Sequence, residues 1–203
     1  WKDQIYVSLT STIGPNPVDI MTYIIDKYTP NSMNSLANDI RGKFMAFPMH
    51  FCVDGRPDAN SLLAEIAFHA RCAISFRRGE YSLFFLAEEP TVAYTDSTST
   101  ALTTIAYSDI DAQSLVLDYT PTEDVVTKMD ITWRDTYNGT DQRIVLRHNI
   151  AKYGVQEEQF DWNSYTIRET VKHTATFWLI RLAKVYRIIR FTTPPHLINL
   201  EPL

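Results

Sequence analysis

Cysteine and glycine are both scarce: the 203 residues contain two cysteines and six glycines. Cys52 and Cys72 sit in apolar contexts and read as buried thiols rather than as a disulfide or metal pair. The glycines are scattered singly, which excludes a phosphate-cradling Gly-rich loop, and there is no Gly-x-Ser-x-Gly nucleophile elbow. No apolar run approaches the roughly 20 residues that cross a bilayer, so no membrane-spanning segment is expected. Basic charge is not in excess: 19 Lys and Arg against 24 Asp and Glu give a formal net charge of −5 and a pI near 5.5. That balance argues against an extended nucleic-acid-binding face. The five histidines (His50, His69, His148, His173 and His196) never fall at His-x-His or His-x-x-x-His spacing, so no local zinc motif exists. No signal peptide is recognisable, and a start at Trp1 with an end just after Pro202 reads as a piece of a longer polypeptide.

What is present is the composition of a folded protein, 45% hydrophobic and 21% charged. The first half centres on residues 56–86. There Leu62, Leu63, Ile66, Ala67 and Ala70 recur at helical spacing, with Glu65, His69 and Arg71 expected to face away. Asp58 or Asn60 can cap that helix. Two short strands follow, joined by a turn at Arg77-Arg78-Gly79-Glu80. Upstream, residues 4–10 alternate as a half-buried strand. Asn16 and Pro17 open a helix with Val18, Met21, Ile24, Ile25 and Tyr28 inward. A second helix is expected from Asn31 or Ser32, with Met33, Leu36, Ala37 and Ile40 inward, and residues 44–53 read as an edge strand because of Pro48.

Residues 91–104 are crowded with Thr, Ser and Asp and read as a connector. The remainder alternates strands at 114–119, 125–134, 142–148 and 155–160 with a hairpin turn at Asn138-Gly139 and a single helical turn at 149–153. A long helix is expected from Asn163 or Ser164 to about Lys184, then a returning strand at 186–193. The fold class is α+β, in two small subdomains with helices on mostly antiparallel sheet or hairpins: 1–92, a connector at 93–113, and 114–203.

Candidate chemistry is thin. Asp96, Asp109, Asp111, Asp118, Glu123, Asp124, Glu157 and Glu158 are the carboxylates from which a hydrolase pair would be drawn, and all lie in polar loops or on alternating strand faces. Trp133, Tyr137 and Trp162 could form a stacking platform for a carbohydrate or receptor, provided that their rings share an exposed face. No catalytic constellation, cofactor motif or metal-ligand set emerges, so no enzyme activity is expected.

The order of segments carries a resemblance. A strand is followed by "STIGPNPVDIMTYIIDKYT", "FPMHF" and "ANSLLAEIAFHARCAISFRRGEYSLFFL". Then come "EDVVTKMDITWRDTYNGTDQ", "NIAKYGVQEEQFDW", the long helix and "RIIRFTTPP". The chain resembles the tail hub family of long-tailed bacteriophages, the central protein of the baseplate or tail tip. The segment with Asn149, Tyr153 and Gly154 is the part that, in the family, precedes a strand, a helix and a returning strand. The resemblance implies a structural virion protein that assembles as a homotrimeric ring below the tail tube. It would adapt the sixfold tube to the threefold tip and attach distal tail proteins, the tape-measure protein and fibres or a spike. Phage DNA would pass its lumen during ejection without specific binding. It implies no cofactor. Hub proteins also carry barrel domains, which are not complete here. For ring contacts the candidates are Phe44, Phe47, Phe51, Tyr81 and Phe84. The alternative is a carbohydrate- or receptor-binding module, or a cell-wall hydrolase component, of the same tail tip.

Overall fold

The computed structural model describes residues 12–34, 41–53, 57–77, 79–86, 105–136 and 139–194. It is an α+β protein. The chain divides into two compact units. Unit 1 comprises Trp1–Leu86, Thr132–Gln142 and Asp161–Thr174; unit 2 comprises Ala87–Ile131, Arg143–Phe160 and Ala175–Leu203. Neither is continuous in sequence, whereas the division expected at 93–113 is a single cut along the chain.

Unit 1 begins with helix α1, Pro17–Tyr28. Asn16 caps it as expected, its Oδ1 accepting the Val18 N–H at 3.0 Å, and Pro17 occupies the first turn where no N–H is needed. Val18, Met21, Ile24 and Ile25 are buried, but Tyr28 is 63% exposed because the helix ends there, at Thr29 before Pro30. Ser32 and Met33 do not start a helix but form β1, parallel to the later strand β3, Glu80–Phe85, through Ser32↔Glu80 and Met33↔Tyr81, while Leu36, Ala37 and Ile40 of the expected second helix lie outside the described residues. Residues 44–53 are not an edge strand either. A 3-10 turn at Gly42–Ala46 folds Phe44 inward, and the following chain is irregular.

Helix α2, Ala59–His69, is capped by Asp58, whose Oδ2 accepts the Ser61 N–H at 2.8 Å. Strands β2, Cys72–Arg77, and β3, Glu80–Phe85, pair antiparallel with Arg77 opposite Glu80, so the loop is two residues long. Gly79 takes φ +85°, a conformation that glycine adopts without steric cost. The sheet order is β1-β3-β2.

Unit 2 holds a two-stranded ribbon of β4, Val116–Tyr119, and β8, Arg187–Arg190, paired antiparallel. It also holds α3, Ile150–Tyr153, a single turn closed by Gly154 at φ +77°. Its core contains Val125, Met129, Ile131, Phe177, Leu179 and Ala183. Strands β5, Lys128–Trp133, β6, Gln142–Arg147, and β7, Glu157–Asp161, form a third sheet in the order β6-β5-β7. Helix α4 runs Arg168–Leu182 and starts later than Asn163 or Ser164, because 162–165 form a turn with Trp162, Ser164 and Tyr165 buried. The expected strand at 4–10, the connector at 91–104 and the turn residues 137–138 lie outside the described residues. No helix of the described residues is long and apolar enough to cross a membrane.

Candidate functional site

A buried polar arrangement in unit 1 gathers at the C-terminus of α2. His69 was expected to face solvent, yet it is 4% exposed, with Nδ1 2.7 Å from Ser164 Oγ. The Trp162 ring lies 5.6 Å from the imidazole centroid and the Tyr165 ring 6.2 Å. Tyr165 Oη donates to the His69 carbonyl, and the His50 N–H donates to the Ser164 carbonyl at 2.9 Å. The turn at 162–165 is thereby fastened both to the end of α2 and to residue 50. Burial holds the imidazole near a pKa of about 4, so it is neutral at physiological pH, and the same enclosure pushes the Tyr165 phenol and the Cys72 thiol upward, the thiol to about 12. A His–Ser pair at hydrogen-bond distance has the outline of a nucleophile with its base. Here both side chains are enclosed, and neither of the two grooves described below is lined by them.

Arg71, also expected outside, is 1% exposed. It sits at φ +58° just after the α2 cap, its N–H bonded to the Phe68 carbonyl and its own carbonyl accepting from Leu86 N–H. The guanidinium lies 5.3 Å from the Phe47 ring centroid and 5.5 Å from that of Phe85, a stacked geometry that suits a planar, weakly hydrated cation. Phe44 packs edge-on to Phe85 at 5.3 Å. Phe44 and Phe47 are therefore core residues, 0% and 5% exposed, rather than surface available to a neighbouring subunit. Phe51, Tyr81 and Phe84 are partly exposed. Phe51 lines the larger of two grooves on unit 1, about 840 Å³, together with Ile20, Tyr23, Ile24, Val53 and Leu62. The smaller, about 430 Å³, lies beside the Asp19–Arg41 ion pair.

Unit 2 carries a second polar cluster. Asp130, absent from the carboxylates singled out by sequence, is 4% exposed and receives the Arg143 guanidinium on both oxygens. On the same face of β5, Lys128 pairs with Glu157 at 2.6 Å. Arg143 is the main influence holding the Asp130 carboxyl below its usual range, which keeps it ionised and acceptor-only.

The remaining candidates are dispersed. Asp111, Asp118, Glu123, Asp124, Glu157 and Glu158 are exposed, Asp109 is half-buried, and Asp96 lies outside the described residues. Trp133 and Trp162 are 5% and 1% exposed, so they offer no open stacking face; Tyr137 lies outside the described residues. Cys72 is buried as expected, but Cys52 is exposed. Among the described residues no cluster of three His, Cys, Asp or Glu could hold a metal.

His69 was legible in principle. It follows Leu62 by seven residues, which places it about 20° from Leu62 around the helix, at the margin of the apolar stripe. Ser164 and Arg143, distant in sequence from their partners, gave no comparable signal.

No protein-family model matches the chain, and no curated protein matches it. Among solved structures, it is similar to the prophage tail protein gp18 of Listeria monocytogenes EGD-e, at 12% identity and a TM-score of 0.33, over 58% of this chain and 33% of that one. The chain thus spans about a third of that protein's length.

Proposed function

We propose that the chain is a structural subunit of a phage tail, and specifically of the central hub at the tail tip or baseplate, forming a ring below the tube through which DNA is ejected. It acts by assembly and not by catalysis. The observation that carries this reading is the order of folded segments. Asn149 and Gly154 bracket a single helical turn, followed by β7, α4 and the returning β8, the succession that the hub resemblance implies. The helix-and-hairpin module is present as α2, β2 and β3. Two further observations agree. His69, Ser164 and Asp130 are engaged in hydrogen bonds and an ion pair of the fold, and Trp133 and Trp162 are enclosed.

The test is the mass in solution, by light scattering, of the chain with its natural flanking sequence, together with its binding to purified tail tubes. A trimer that caps tubes is the expected result. A stable monomer that ignores tubes, and instead binds glycans or cleaves cell wall, overturns the reading in favour of a receptor-binding or hydrolase component.

A further inference from the structure

The β4–β8 ribbon of unit 2 has no third strand among the described residues. Its pairing extends beyond the strands, from Asp111, whose N–H donates to the Thr192 carbonyl, to Thr120, whose N–H donates to that of Tyr186. In the register, Leu117 faces Ile189 and Tyr119 faces Arg187, so these four side chains share one face. Leu117, Tyr119 and Ile189 are 53%, 52% and 55% exposed, and Leu115, just upstream, is 48% exposed. An isolated two-stranded ribbon is marginally stable in water, and an open edge is a template for another strand.

The two edges differ in charge. The chain around β4 carries Asp109, Asp111, Glu123 and Asp124, whereas β8 begins with Arg187, over the Tyr119 ring, and ends with Arg190, which pairs with Asp118 of β4 at 3.3 Å within the ribbon. We infer that the ribbon is a subunit interface in which the β8 edge of one copy of this chain joins the β4 edge of the next. Arg187 of one copy meets the acidic flank of the other, and the apolar face becomes continuous across the joint. The two edges are different surfaces, so the contact is head-to-tail and generates a ring when its rotation closes. Long-range attraction between the unlike edges also favours this register over like edges meeting. The inference names the contact surface of the ring proposed above and rests on that reading.

Sedimentation velocity on the full chain tests it. Arg187→Glu weakens association by about tenfold or more, the effect of roughly 1.4 kcal/mol at an interface. Adding Glu123→Lys and Asp124→Lys to that same chain restores it, which a ribbon that had merely failed to form would not do. If Arg187→Glu associates like the parent, or the added lysines fail to rescue it, the edge assignment is overturned while the ring reading stands. If the parent chain is monomeric at every concentration, both fall.

Discussion

His69 is held neutral by its surroundings, between aromatic rings and beside the Ser164 hydroxyl, and that has a consequence for stability. Its folded pKa of about 4 lies below the ordinary 6.5, so between these values the unfolded chain binds a proton that the folded chain refuses. The stability contributed by the neutral imidazole is complete above pH 6.5 and is lost as the pH falls through about 4. Over that window the loss is roughly 3 kcal/mol. Urea unfolding of the parent and of His69→Gln, at a series of pH values, reads it out. Glutamine can keep a hydrogen bond to Ser164 but cannot titrate. The parent's advantage over the variant is expected to be largest at pH 7 and to shrink toward pH 4. Parallel pH profiles for the two proteins would show that His69 carries no proton linkage.

At the scale of the element, α2 offers a comparison between two neighbouring polar residues. Asp58 accepts the Ser61 N–H at 2.8 Å and occupies the cap, whereas Asn60, inside the first turn, accepts only the exposed Tyr81 hydroxyl at 3.0 Å. Asp58→Ala is expected to cost about 1 kcal/mol, the usual worth of an N-cap. Asn60→Ala, an exposed change, should stay within about 0.5 kcal/mol. Thermal melts of the two variants decide between them, and equal losses would mean that the cap is not the source of the helix's start. Caps, turns and periodicity are local, which is why α1, α2, the β2–β3 hairpin and the turn closed by Gly154 are legible from the residues themselves. The candidate site is not local. His69 and Ser164 are 95 residues apart, and Arg71 is buried because Phe47 and Phe85 flank its guanidinium. A helix pattern assigns such polar side chains to solvent unless their distant partners are known. Asp130 escapes a sequence reading for the same reason, since Arg143, 13 residues on, is the main partner that makes its burial tolerable.

Over the whole molecule, the sequence pattern and the folded units disagree about where the chain may be cut. Reading composition alone, residues 1–92 are a subdomain in themselves. In the structure, unit 1 also takes Thr132–Gln142 and Asp161–Thr174, which bring Trp133, Trp162, Tyr165 and Val171 into it, all 5% exposed or less. Truncating one buried Trp to Ala typically costs about 3–5 kcal/mol, and a whole domain is stable by only about 5–15 kcal/mol. Removing two tryptophans, a tyrosine and the Ser164 partner of His69 at once therefore exceeds what the rest of the unit can supply. A fragment of residues 1–92 is expected to show no cooperative thermal transition by circular dichroism and to be digested rapidly by protease, under conditions where the full chain melts cooperatively and resists. A fragment that melts cooperatively would mean that residues 1–92 build their own core, and that the later segments pack onto a unit already formed.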